Sequence, residues 1–392
     1  MTGILDGVRV LDFGRWIAGP YSAHLLADLG ADVVRVERPK GEDDRYLMPV
    51  TAHGEGAQYL QCNGGKRCLT LNMTSPEGRE VMRNLIAKAD VVIANYSPGG
   101  LKHFGLDYET LKAIKEDIIL ASASAYGSAG PMAERIGFDG VGQAVSGAIY
   151  LTGEPDRPYR AATAPIDFAT SLSLTYGILG AIIGKIRTGR GAHVQASLVG
   201  TSLNLTNQIL MEEATGFTHR EPSGNRSPMS GPSDLFRARD GWFIMQVIGQ
   251  KVFRRWCKTI GREDLIEDPR FATDQLRGDN GEDLSAIMQA WCADKTRDEC
   301  IEVLGKASIG CGPVLSPKEV VGGSLDLRQT FMKNVDFPDS QPVPIVPAPA
   351  SLSHGTVPLS RPPLLGEHTD AVLRDYGYDA AAIAGLRENG TV

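Results

Sequence analysis

Residues 8–37 constrain the fold of this chain more than any other segment. Val8-Arg9-Val10-Leu11-Asp12-Phe13 has the character of a strand, the loop Gly14-Arg15-Trp16-Ile17-Ala18-Gly19 follows, and Pro20 is well placed as the first residue of a helix. Apolar residues at Tyr21, Leu25 and Leu29 share one helical face, and Gly30 supplies the stop. A second strand, Asp32-Val33-Val34-Arg35-Val36-Glu37, comes next. Two strands joined through a helix lie parallel, and the crossover between them is right-handed. The pattern recurs: Ser75-Pro76 opens a helix ending near Ala89, Asp90–Ala94 is a strand ending at Asn95, and Ile118–Ser122 is another. Apolar runs buried on both faces imply an α/β fold, a parallel sheet covered by helices. Ligands of such sheets bind beyond the carboxyl ends of the strands. The loops 14–20, 38–45, 95–100 and 126–138 are therefore where a site is expected.

The second half reads differently. Glu221-Pro222-Ser223-Gly224-Asn225 is linker-like, residues 235–247 read as a hairpin about Asp240-Gly241, and helical patterns fill 250–306. The expected division is a large domain over 1–219, a small domain over 220–320, and a connection with a C-terminal helix over 321–392. Eight prolines between 337 and 363 suggest an extended strap, and Thr369 to Leu386 is helical again. With 392 residues, 42% hydrophobic and 22% charged, the chain is long enough for two cores. A net charge of −7 argues against nucleic acid or an anionic membrane as partner. Six scattered cysteines without CxxC or Cys/His metal spacing fit a reducing compartment, and Met1 to Asp6 carries no leader signature, so the cytoplasm is expected. Phe168 to Gly184 is apolar but shorter than a membrane span, and a buried helix is expected there.

Several candidates for chemistry follow. The first loop has Gly14 and Gly19 but no GxGxxG, and Arg15-Trp16-Ile17 fill the space a pyrophosphate needs; with Glu37 ending the second strand, an NAD-dependent oxidoreductase is a weak alternative. Basic residues gather near the strand ends, and Arg38, Lys66, Arg67 and Arg135 would suit a polyphosphate, solvated surface charge being the plainer explanation for each. No histidine spacing suits a metal and no GxSxG elbow occurs. Asp167 precedes the apolar helix Phe168 to Lys185. A helix N-cap is its simplest role, and a carboxylate there is favoured in the ionised form that attack on a carbonyl requires.

Taken together, Gly7–Phe13, Ala18-Gly19-Pro20, Leu25–Val33, Val36–Pro39, Asn63–Arg67, Ser75–Gly78, Asn95–Gly99, Gly137-Phe138-Asp139, Leu151–Pro155, Thr188–Gly191 and Leu365–Thr369 closely resemble the class III CoA-transferases, a group that includes carnitine and formyl-CoA transferases and methylacyl-CoA racemases. The resemblance spans nearly the whole chain. It implies a Rossmann-like large domain with a smaller α+β domain, and an interlocked, ring-like homodimer. The substrates it implies are an acyl-CoA and a carboxylic acid, with no permanently bound cofactor and no metal. It makes Asp167 the nucleophile, forming an aspartyl anhydride. It places CoA contacts at Ile17, Ala18, Arg38, Leu71, Asn72, Met73, Thr74, Asn95, Tyr96, His103 and Arg135, and substrate contacts at Phe138, Asp139, Gly249 and Gln250. Backbone N–H groups near Gly249 would hold the oxyanion. The racemase branch carries histidine where Phe138 stands, and racemization needs an acid and a base, so transfer is expected and an α-methylacyl-CoA racemase is the alternative. Arg45, Arg160 and Arg226 hint at a second carboxylate on the acid, as in a dicarboxylic acid, exposed surface arginine being the plainer explanation.

Overall fold

The structure, a computed structural model, describes residues 3–392. Its centre is a six-stranded sheet of β1 (Arg9–Asp12), β2 (Asp32–Glu37), β3 (Arg67–Thr70), β4 (Val91–Ala94), β5 (Ile119–Ser124) and β6 (Ala192–Ser197). The strands lie in the order β3-β2-β1-β4-β5-β6, and every neighbouring pair is parallel. Alternate side chains reach opposite faces, as strand geometry requires. Leu11, Val34, Val36, Leu69, Val92 and Leu120 enter one core with Val81, Leu85 and Ile86 of the Pro76–Lys88 helix. Val10, Val33, Val91, Ile93 and Ile119 enter the other with Leu26, Leu174 and Ile178.

The Ala18–Asp28 helix starts before the expected Pro20, which sits in its first turn. The long apolar helix runs from Pro165 to Thr188. Its Leu174, Ile178 and Ile182 are buried, but Leu172, Tyr176, Ile183 and Ile186 are exposed, so it is buried along one face only. It is long and apolar enough to cross a membrane by composition, yet its buried face covers the sheet. The tail forms two helices, Thr369–Asp375 and Ala380–Glu388; Val372, Leu373 and Ile383 fill the first core. The proline-rich strap contributes β11 (Val343–Ile345) to a short antiparallel pair with β10 (Lys333–Val335), which lies just before it, and Val335 and Ile345 pack with Tyr59 and Leu60.

The described chain separates into two compact units, one of residues 3–146, Ala161–Thr206 and Gln329–Val392, the other of Gly147–Arg160 and Asn207–Arg328. The division differs from the expected cuts at 219/220 and 320/321: it falls inside the Leu198–Ala214 helix, and Gly147–Arg160 joins the second unit. That unit has its own antiparallel sheet, β7 (Ser233–Ala238), β8 (Gly241–Gln246) and β9 (Gly310–Pro313) in sequence order. Phe236, Phe243, Phe253, Trp256, Met288 and Leu304 form its core.

Beneath the strand ends of the first unit lies a buried network of charge. Arg35 donates to Glu37 (3.0 Å), Asn63 (3.0 Å) and both oxygens of Asp44 (2.9 Å). Arg45 donates to Glu37 (3.0 and 2.5 Å), to the Tyr59 hydroxyl (2.7 Å) and to the Pro363 carbonyl (3.0 Å). Lys66 donates to Asp12 (2.7 Å), the Pro20 carbonyl (2.7 Å) and Asn63 (2.8 Å). Burial acts to raise the pKa of Glu37, but Arg35 and Arg45 outweigh it and hold the carboxyl down at about 2. Removing one partner of a buried ion pair strands the rest. Glu37→Gln leaves Arg35 and Arg45 sharing too little countercharge, and chemical denaturation should show a loss of about 3–5 kcal/mol. A loss under about 1 kcal/mol would contradict this reading of the network.

Candidate active site

The strand order reverses between β1 and β4, and that switch point is where such sheets open a crevice. The loops after these two strands are clipped together by one amide: Asn95 Oδ1 accepts from the Arg15 backbone N–H (2.7 Å), and its Nδ2 donates to the Arg15 carbonyl (2.6 Å). The next residue, Trp16, has φ +63°, a conformation that costs a non-glycine residue about 1 kcal/mol or more. Its backbone N–H is held by Asp44 (3.1 Å), which is itself held by Arg35. The buried charge network thus fixes the strained turn.

That turn opens a cavity of about 380 Å³, lined by Arg15, Trp16, Ala18, Asn95, Tyr96, Ser97, residues 123–125 and 135–138, Asp167 and Leu198. The Trp16 and Phe138 rings meet edge to face, with centroids 6.1 Å apart. Arg15 lies over the Tyr96 ring (5.3 Å) and pairs with Glu42 (3.1 Å). Arg15 also borders a second cavity, lined by Arg38, Pro39, Lys40, Asn72, Met73, Thr74 and Phe104.

Asp167 is not the N-cap. The Pro165–Thr188 helix is capped by Ala164, which has no capping side chain, and Asp167 stands at the third helical position. The acceptor comes from elsewhere in the fold: Asp139 Oδ2 takes the N–H groups of Ile166 (2.6 Å) and Asp167 (3.0 Å). Gly142 permits the approach, because a Cβ there would lie 3.0 Å from the Ile166 side chain and 3.3 Å from the Leu198 carbonyl. The Asp167 carboxyl is half-buried, and burial first, then the neighbouring Asp139 charge, pushes its pKa up to about 7.

The structure distributes the remaining expected residues unevenly. Ala18, Asn95, Tyr96, Arg135 and Phe138 line the Asp167 cavity, while Arg38, Asn72, Met73 and Thr74 line the second. Leu71 and Ile17 do not line either cavity: Leu71 is in the main core and Ile17 packs with Tyr21, Leu25 and Cys62. His103 is exposed beside Phe104, at 4.9 Å between rings. Asp139 is buried under the helix terminus and does not line the cavity as a substrate contact would. Lys66 is buried in the charge network, Arg67 pairs with Asp32 (2.6 Å) and Asp375 (2.6 Å), and Arg45 is buried against Glu37, so none of the three is left for a phosphate or a substrate carboxylate. Arg226 pairs with Glu282 (3.3 Å) in the second unit. In that unit, the Gly249 N–H donates to Asp274 (3.0 Å), and Arg277 donates to Gln250 Oε1 (2.8 Å) and to Asp274 (2.6 Å). The Gly249 N–H is therefore occupied within its own unit.

Arg15, Trp16, Lys40, Phe104 and Ile136 were not among the expected contacts. For Arg15 and Trp16 a signal exists: both lie in the 14–20 loop beyond a strand end, where the sequence places a site without singling out these two side chains.

Comparison with known proteins points to one family. The profile of CoA-transferase family III matches residues 5–369. The chain is 31% identical to the succinyl-CoA:glutarate CoA-transferase of Mus musculus, over 99% of this chain and 90% of the relative. It is 32% identical to a formyl-CoA:oxalate CoA-transferase of Rhodopseudomonas palustris (strain HaA2), over 100% of this chain and 98% of the relative. The crystal structure of a CAIB/BAIF family protein from Brucella suis superposes with a TM-score of 0.81 at 34% identity, covering 96% of this chain and 100% of that one. The chain belongs to CoA-transferase family III and is an enzyme of the CoA-transferase type.

Proposed function

We propose that this enzyme moves CoA between two carboxylic acids with the Asp167 carboxylate as nucleophile. One observation carries the reading: Asp167 is the carboxylate that lines the switch-point cavity, fixed by its backbone on a helix terminus. The CoA nucleotide would occupy the second cavity, with Arg38 and Lys40 toward its phosphates, and the thioester would reach past Arg15 to Asp167. An Asp167 oxygen attacks the thioester carbonyl, the C–S bond breaks, and CoA thiolate leaves an acyl–aspartyl anhydride. The thiolate then attacks the aspartyl carbonyl, freeing the first acid and leaving an aspartyl thioester. The second acid repeats the steps in reverse, and the Asp167 carboxylate is regenerated.

The acids we favour are dicarboxylic, because succinate, glutarate and oxalate appear in the names of relatives aligned over nearly the whole chain. Phe138 supports transfer over racemization, since a phenyl ring at the cavity wall exchanges no proton. The same reading carries an interlocked homodimer. Tyr176 and Ile186, 82% and 79% exposed on the Pro165–Thr188 helix, are apolar surface that a second copy would cover. Light scattering should give twice the 42.1 kDa chain mass, and a mass of one chain would contradict it.

Two outcomes test the nucleophile. Mass-spectrometric assay of succinyl-CoA with glutarate should show Asp167→Asn reduced by about 10³-fold or more, whereas full transfer by that variant would remove the assignment. The second is pH dependence. The folded chain keeps the Asp167 proton up to about 7, above its ordinary 3.8. Between those values the folded state binds the proton and the unfolded state does not, so stability falls as pH rises, and the cost is complete above pH 7. Asp167→Asn should therefore melt higher than the wild type at pH 8 and show a smaller difference at pH 4. Single-turnover release of the first acid from acyl-CoA should rise through an apparent pKa near 7 as the carboxyl ionises.

A further inference from the structure

The mechanism above uses Asp167 alone, yet a second carboxylate is built into the same place. Asp139 opens the Asp139–Val145 helix and is buried. One of its oxygens accepts the N–H groups of Ile166 and Asp167, at 2.6 and 3.0 Å. The other accepts from Gln143 Nε2, one turn along the same helix. Gln143 Oε1 in turn accepts the Ala161 N–H (2.9 Å). The Asp139–Gln143 pair thus holds both ends of the segment that delivers Asp167, residues 161 and 166–167.

We infer that Asp139 is a positioning residue for this transferase: it replaces the missing N-cap of the helix that bears Asp167, and it puts a second negative charge beside the reacting carboxylate. The inference rests on the nucleophile reading given above. The two effects pull in opposite directions. Two backbone bonds fix the helix terminus from which the Asp167 carboxylate projects, as a pre-organised nucleophile requires. The like charge makes that carboxylate harder to form, and an oxygen with higher proton affinity is the stronger nucleophile once it is ionised. The other groups around Asp167 do not duplicate this charge. Cys62, from the Ala57–Cys62 helix, is a buried thiol pushed by burial up to about 12 and so is neutral at ordinary pH. Arg15 and Arg135 line the cavity and carry the opposite sign.

Asparagine and alanine at position 139 separate the two effects. Asn keeps a carbonyl acceptor for the helix terminus and removes the charge; Ala removes both. In single-turnover release of the first acid from acyl-CoA, Asp139→Asn should move the acidic limb about one unit to lower pH, which a purely structural cap would not do. Asp139→Ala should lower kcat by about tenfold or more with KM for acyl-CoA within about twofold, because Asp139 touches no substrate. An unmoved limb in Asp139→Asn overturns the inference, and so does an unchanged kcat in Asp139→Ala. If Asp139→Ala does not fold, the Asp139→Asn limb decides alone. Asp167→Asn run beside them separates the claims: an active Asp167→Asn removes the nucleophile itself, whereas an inactive one with an unmoved Asp139→Asn limb removes only the role of Asp139.

Discussion

The site depends on the mutual satisfaction of three buried cations and three buried carboxylates. Arg35, Arg45 and Lys66 are matched by Asp12, Glu37 and Asp44, with the Asn63 amide joining Arg35 to Lys66. Such a cluster is weak evidence for stability, since desolvation offsets much of the attraction. Its geometric consequence is stronger. Asp12 holds the Gly14 N–H (2.8 Å), Asp44 holds the Trp16 N–H, and Glu37 holds the Glu42 N–H (3.2 Å), so one network sets both the 14–17 and the 38–46 loops. Both cavities take residues from these loops.

The reactive carboxyl sits under a different constraint. The Pro165–Thr188 helix begins without a capping side chain of its own, and the deficit is made up by Asp139. A carboxyl at a helix terminus is ordinarily easy to ionise, because the dipole favours negative charge there. Burial and a neighbouring carboxylate reverse that tendency at Asp167. Stability is given up at the point of chemistry, a common arrangement where a group must be reactive and not merely at rest.

The sheet was legible because its signals are local. The strands at 8–13, 32–37 and 90–94, and the loops that follow them, can be read from apolar runs and from Pro and Gly positions within a few residues. The Phe168 helix was legible in kind but not in burial: composition gave an apolar cylinder, whereas Tyr176 and Ile186 lie outside the core. The basic residues misled for a nonlocal reason. Lys66 pairs with Asp12 across 54 positions, and Arg45 bonds the Pro363 carbonyl across 318, so no window of sequence reveals that they are occupied. Asp167 is visible as the acid before an apolar helix, but the acceptor that caps that helix, Asp139, lies 28 positions earlier, beyond any local signal. Asn95 lines the Asp167 cavity, and its amide is committed to the Arg15 backbone across 80 positions.

The central claim is that Asp167 becomes acylated. Incubating the enzyme with acyl-CoA and quenching with hydroxylamine tests it most directly, because hydroxylamine attacks an aspartyl anhydride or thioester and leaves a hydroxamate. Peptide mass spectrometry should place that hydroxamate on Asp167, and only when acyl-CoA is present. An unmodified Asp167 peptide during active turnover, or a hydroxamate on another residue, would contradict the account.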